Sequence, residues 1–381
     1  MFSREPGHAL VSSPVKRPLY PISRIHLDAL STTLGLWQHA RGAEPDPRFG
    51  YCTDDVARAL VVDMLHSREL GWGAVAASAG RSMSFLQDAF DHPTGRFLNF
   101  RGADGRWLDV EASEDCHARS LLGLAVVVTE RPGTDLADRA RRLFVKALPA
   151  TESFDAIRAI SAALIACDTV AEARLAYEAQ PAFERLATRL VERFGNPGDE
   201  WPWPDPVVTY ENALVAQGLV TVGRRLGNQL LLARGCFVLD WLIDVQTGDG
   251  GVFSPIGNRN WWPRMGERSR FDQQAIEATS MISATVATFR ATGRQRYVDA
   301  AERAYGWFLG DNDLRVTVAN PASGGCFDGL TDSGVNENQG AESTLMWQTA
   351  LELMRELRGS DRRGIGRTLP VETAPTTGPR A

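Results

Sequence analysis

The strongest constraint on this chain is a local design that recurs along it: a polar, acid-bearing turn followed by an apolar segment of helical period. In Phe271-Asp272-Gln273-Gln274-Ala275-Ile276-Glu277 an acid and two amides lead into apolar positions at Ala278, Ile282, Val286 and Phe289, and Thr292-Gly293 ends the run. That spacing is one buried face of a helix with a glycine stop. Thr53-Asp54-Asp55, Ser113-Glu114-Asp115, Thr151-Glu152-Ser153, Thr209-Tyr210-Glu211-Asn212 and Asn338-Gln339-Gly340-Ala341-Glu342 open further helical patterns in the same way.

Read in order, the patterns predict helices over 24–40, 54–70, 73–90, 114–128, 135–148, 154–167, 170–194, 210–226, 229–245, 271–292, 295–309 and 341–357. Between the third and fourth, residues 95–110 read as a short β-hairpin around an Asp104-Gly105 turn. Trp201-Pro202-Trp203-Pro204-Asp205-Pro206 is incompatible with a helix, and 247–270 and 310–339 are long irregular excursions. The acid-opened helices are the even-numbered ones. In a barrel of six helical hairpins the inner members all run the same way, so acids at alternate starts converge on one mouth. An all-α (α/α)6 barrel, a six-hairpin toroid with a short β-hairpin and long loops at one end, is therefore expected. A solenoid of hairpins shares the alternation but calls for a repeat period, and none is visible. The expected organisation is a flexible segment over 1–21, a catalytic domain over 22–358 and a disordered tail over 359–381 rich in Pro, Thr, Arg and Gly.

With 381 residues, 44% of them hydrophobic, the chain can bury a large core. A net charge of −6 and a pI near 5.6 argue against a nucleic-acid partner, which calls for a basic excess. No apolar run approaches the roughly 20 residues that span a bilayer, and 1–21 does not read as a secretory signal. Five scattered cysteines (Cys52, Cys116, Cys167, Cys236, Cys326) fit neither a disulfide framework nor a zinc site. A cytoplasmic protein without membrane or nucleic-acid partners is expected; oligomeric state is not legible.

Acids in a first helical turn complement the helix dipole, and capping alone is worth roughly 0.5–2 kcal/mol. Capping needs one oxygen, whereas these acids keep company with Tyr51, Arg58, His117, Arg119, Tyr210, Asn212, Gln273, Gln274, Asn338 and Gln339. Amides, carboxylates and guanidiniums supply paired hydrogen bonds, and Trp201, Trp203, Trp261, Trp262 and Trp347 offer flat apolar faces. Together they match a sugar, which has polar edges and a C–H face. Asp54, Asp55, Asp115 and His117 form a conceivable metal set, but a first-turn histidine reads as a hydrogen-bond partner; no metal and no cofactor is expected.

The motifs Gly50-Tyr51-Cys52-Thr53-Asp54-Asp55-Val56-Ala57-Arg58, Ser113-Glu114-Asp115-Cys116-His117-Ala118-Arg119, Thr209-Tyr210-Glu211-Asn212, Phe271-Asp272-Gln273-Gln274, and Gly324-Gly325-Cys326-Phe327-Asp328-Gly329 through Asn336-Glu337-Asn338-Gln339-Gly340-Ala341-Glu342-Ser343-Thr344 resemble those of a bacterial six-hairpin glycosidase-like family. Its members are often labelled glycosyltransferases. The resemblance runs from about Arg24 to Leu357 and implies the six-hairpin fold and carbohydrate chemistry. Three positions depart from it: Val56 stands for an amide, Ala118 for a glycine and Glu211 for an aspartate. A nucleotide-sugar transferase of Rossmann type is excluded, since no strand, glycine-rich turn and helix follow one another.

The expected activity is a glycoside hydrolase acting on a cytoplasmic oligosaccharide, inverting by likeness to related six-hairpin enzymes. Asp115 and Asp272 are the leading acid and base, with Asp54, Asp55 and Glu342 as alternates. Tyr51, Arg58, Glu114, His117, Arg119, Trp203, Tyr210, Glu211, Asn212, Trp261, Trp262, Gln273, Gln274, Asn338 and Gln339 are the expected substrate contacts. A sugar epimerase or isomerase, a phosphorylase using Arg58, Arg119 and Arg270 for phosphate, and a non-catalytic carbohydrate-binding protein are the alternatives.

Overall fold

The structure, a computed structural model, describes residues 14–109, 112–171 and 176–362. Most of the expected N-terminal segment and nearly all of the expected tail lie outside these residues. Twelve helices are present among the described residues: α1 Ile25–Leu30, α2 Thr53–Leu70, α3 Trp72–Ala89, α4 Glu114–Glu130, α5 Asp135–Ala147, α6 Ile157–Ala171, α7 Ala176–Phe194, α8 Asn212–Arg225, α9 Gln229–Val245, α10 Ala275–Thr292, α11 Gln295–Phe308 and α12 Ala341–Arg362. The even-numbered helices form a closed ring, α2 on α4, then α6, α8, α10 and α12, and α12 returns to α2. Each odd-numbered helix from α3 to α11 packs outside the inner helix before it, and α1 closes the outer layer against α12. This is the (α/α)6 barrel.

Burial follows from that layering. Inner helices are surrounded on all sides, so α10 buries Ala275 to Ile282 without a break, while outer α5 buries one stripe, Leu136, Ala140, Leu143, Phe144 and Ala147. Small residues let inner helices touch: a Cβ on Gly123 of α4 would lie 2.9 Å from the Ala57 carbonyl of α2.

One expected helix end and two expected starts move. The first helix ends at Leu30 rather than near Ala40, because Thr32 Oγ1 accepts from the Leu34 and Gly35 amides at 3.1 Å each and turns the chain. Phe271 to Gln274 precede α10 instead of forming its first turn: Gln273 exchanges both backbone bonds with Leu330, and Asp272 sits at φ +62°. Thr151 to Ser153 belong to a 3-10 turn, and α6 begins at Ile157.

The expected hairpin over 95–110 splits its pairing. Arg101 bridges Trp107 across the Asp104-Gly105 turn, but Phe100–Arg101 also pair with Tyr51–Cys52, and Arg96–Phe97 pair with Phe90–Asp91. Every strand pair among the described residues is a two-stranded antiparallel ribbon. The stretch before α1 is docked where it is described: Tyr305 donates to the Pro18 carbonyl at 3.0 Å, and Arg17 Nε to Asp311 at 2.6 Å. At the other end α12 runs past Leu357 to Arg362. All five cysteines are free and buried.

Candidate active site

The inner helices begin at one mouth, and two adjoining cavities fill it. A deep one of about 440 Å³ is walled by Asp54, Asp55 and Arg58 of α2, Asn99 and Phe100, Asp272 to Ala275, Asp328 to Thr331, and Glu342 and Ser343 of α12. A shallower one of about 630 Å³ runs from Asp54 past Glu114, Asp115 and Arg119 to Ala156, Tyr210 and Trp261. Asp54, Asn258, Gln274 and Glu342 border both. Peptide dipoles at the helix starts make this end of the barrel favourable for carboxylates.

Two arginines hold those carboxylates in place. Arg119 reaches Asp54 Oδ2 at 3.3 Å and Glu211 Oε2 at 2.6 Å, and lies 3.9 Å from Asp115. Arg58 spans Asp55 Oδ1 at 2.9 Å and Glu342 Oε2 at 3.1 Å. Tyr210 donates its hydroxyl to Asp115 Oδ2 at 2.5 Å. Burial pushes the Asp55 carboxyl up to about 7, against the pull of Arg58. Burial likewise raises Glu277 to about 8; it accepts the Glu211 backbone N–H behind the mouth wall, where Glu211 occupies a left-handed conformation at φ +48°. Asp54 Oδ1 is buried with no partner among the described residues, and Glu342 is the more open of the two carboxyls bordering both cavities, 40% exposed against 15%.

Of the expected site residues, Asp54, Asp55, Arg58, Asp272, Gln273, Gln274, Glu342, Glu114, Asp115, Arg119, Tyr210 and Trp261 line the cavities. Two of these are engaged elsewhere. Gln273 spends its amide on the Arg270 carbonyl, Asp313 and Trp307, and Asp272 is held by Arg259, which also binds Asp332.

The remaining expected contacts line neither cavity. Tyr51 stacks on Trp37 with ring centroids 4.4 Å apart. His117 is sealed, its Nε2 3.0 Å from the Ala147 carbonyl, and burial lowers it to about 4. Asn212 bonds Thr209 and Arg158, Asn338 accepts from the Gly42 amide, and Gln339 is buried beside Gly325. Glu211 reaches the mouth only through Arg119. Trp203 and Trp262 join Trp201 and Trp241 in an aromatic cluster. Trp347 packs on Tyr305 and Phe308. Of the five tryptophans offered for stacking, Trp261 alone lines either cavity of the mouth.

Several lining residues were not anticipated: Gln38, His39, Asn99, Asn258, Asp328 and Asn336. Asp328 and Asn336 lie inside the motif stretch that runs from Gly324 to Thr344 and carried a signal in the sequence. The others sit on loops and ribbons whose place depends on distant partners, as when Cys52 and Phe100 pair across the mouth.

A closed ring of six hairpins with an acid-lined mouth defines a six-hairpin protein, an (α/α)6 barrel. No family model and no curated relative matches the chain. Solved structures do. Cellobiose 2-epimerase from Spirochaeta thermophila aligns with 85% of this chain and 90% of its own, at TM-score 0.65 and 15% identity. A D-mannose isomerase aligns over 87% and 96%, at 0.66 and 10%. An inactive variant of the α-1,6-mannanase of Salegentibacter sp., in complex with α-1,6-mannotetrose, aligns over 88% and 96%, at 0.59 and 9%. At these identities the likeness is one of fold.

Proposed function

We propose that the protein is a carbohydrate-active enzyme that hydrolyses a glycosidic bond of an oligosaccharide, with Asp54 and Glu342 as its paired carboxyls. One observation carries the reading: these two acids border both cavities, so a saccharide lying across the mouth sets a linkage beside them. In hydrolysis the protonated carboxyl gives its proton to the glycosidic oxygen as the C–O bond breaks. Its partner takes a proton from the water that attacks the anomeric carbon, leaving a hemiacetal and an alcohol.

This choice revises the leading pair read from the sequence. Asp115 and Asp272 each border a single cavity, so they suit binding of sugar hydroxyls on either side. Arg58 links Glu342 to Asp55, whose raised affinity for a proton near neutrality suits a proton store. In the mannanase neighbour the inactive variant has two successive aspartates replaced by alanine, and Asp54-Asp55 is such a pair at this mouth.

The alternatives fit less well. Arg58, Arg119 and Arg270 are each paired with carboxylates, so phosphate would have to displace fixed anions. An isomerase or epimerase that shuttles protons between two histidines finds only His39 among the described lining residues. The test is incubation with manno-, gluco- and galacto-oligosaccharides, with and without phosphate, read by chromatography and by proton NMR of the first-formed anomer. Phosphate-independent release of an inverted sugar is expected. Release as a sugar phosphate, or isomerisation without cleavage, overturns the proposal.

A further inference from the structure

The two cavities differ in depth and in what lines them. Ten residues walling the deep cavity are buried, among them Asp55, Arg58, Asn99, Gly340 and Ser343, whereas the shallow one has Ile276 as its one buried lining residue. The deep cavity is lined by Cys52 and Phe100, which pair in one ribbon, and by Gly329, Leu330, Thr331 and Asn336 of the ribbon Gly329–Thr331 with Gly334–Asn336. The shallow one is edged by Trp261 and Tyr210, whose ring centroids are 6.1 Å apart.

Two side chains in the deep cavity are fixed by one atom and free at the other. Asn99, 8% exposed, uses Oδ1 to accept from the Asp54 amide and the Cys52 thiol, both at 3.3 Å. Its Nδ2 donates to no described residue. Asp328 accepts through Oδ1 from the Gly340 amide at 2.7 Å and Ser343 Oγ at 2.6 Å, and its Oδ2 has no partner among the described residues. A held donor and a held acceptor lining one recess match hydroxyl groups of a sugar ring.

Charge narrows the ligand further. The lining carries seven carboxyl side chains (Asp54, Asp55, Glu114, Asp115, Asp272, Asp328, Glu342) against two guanidiniums, Arg58 and Arg119. A cleft of one sign repels ligands of the same sign.

Resting on the hydrolase reading above, we infer that the deep cavity is a chain-end subsite, in which Asn99 and Asp328 grip the terminal sugar of a neutral oligosaccharide while the rest of the chain leaves through the shallow cavity past Trp261. The enzyme then shortens chains from an end, and uronate chains are excluded.

The experiment uses end-labelled neutral hexasaccharides and an oligogalacturonate, with the wild type and with Asp328→Asn and Asn99→Asp. Both substitutions keep the anchoring acceptor; the first replaces the free carboxylate oxygen and the second the free donor. A single labelled product length at the first time points is expected, and a spread of lengths from the start overturns the chain-end assignment while leaving hydrolysis standing. Each variant should raise KM at least tenfold with kcat within threefold and an unchanged melting temperature. An unchanged KM in both removes these residues from the subsite. Oligogalacturonate cleaved within threefold of the neutral rate overturns the charge argument. If no neutral chain is cleaved, the hydrolase reading fails, and calorimetric binding decides the subsite: binding weakened tenfold in both variants keeps it, and absent or unaltered binding overturns it.

Discussion

At the scale of single residues the mouth is a set of acids whose environments differ, and its tests follow from those differences. Asp54→Asn or Glu342→Gln should lower kcat on a cleaved oligosaccharide by about 10² to 10⁴, the range of a lost general acid or base, with circular dichroism unchanged. The same loss in Asp115→Asn and Asp272→Asn, with Asp54→Asn active, would move the chemistry to the other pair. Glu277 gives a stability test. Its carboxyl rises from an ordinary 4.5 to about 8 in the folded protein, so the folded state holds a proton that the unfolded chain has released. Its contribution is full at low pH and is lost as pH climbs through about 8, so Glu277→Gln should flatten part of the fall in melting temperature between about pH 5 and 8. Asp55, raised to about 7, acts in the same direction, and its share persists in that variant. Six of the seven lining acids were legible because they sit in sequence beside helix starts; the seventh, Asp328, sits in the loop before α12. Asn99 and Asn258 were not legible, because each is brought to the mouth by a loop.

At the scale of elements, helical period predicted the inner helices well and the first turns of α6 and α10 poorly. The run from Ala278 to Phe289 is one helix, as its spacing required, yet the four residues before Ala275 are pulled out of it by Leu330, a partner 57 positions after Gln273. Alternation alone could not reveal that pairing. Helix contacts also carry sequence marks whose meaning appears only in the fold. A Cβ on Gly223 of α8 would lie 2.3 Å from the Leu232 backbone nitrogen, and one on Gly235 of α9 2.7 Å from that of Val220. Gly223→Ala should therefore force the α8–α9 hairpin apart and cost about 1–3 kcal/mol in urea unfolding, the range of an overpacked contact. A loss under 0.5 kcal/mol would mean that the hairpin relaxes freely.

At the scale of the molecule, one continuous apolar core reaches from Leu27 to Leu357 through every inner helix, and α12 closes on α2. Unfolding followed by tryptophan fluorescence and by far-ultraviolet circular dichroism should give coincident midpoints; transitions separated by more than about 0.5 M urea would show that hairpins melt independently. The sequence by itself determined the twelve helices, their inner and outer alternation and the acidic character of one end, because periodicity and capping are local properties of neighbouring residues. Tertiary structure decided which acids share a cavity, which tryptophan meets it and which arginine holds which carboxylate. Those relations join residues as far apart as Arg58 and Glu342, and only closure of the ring fixes the distance between them.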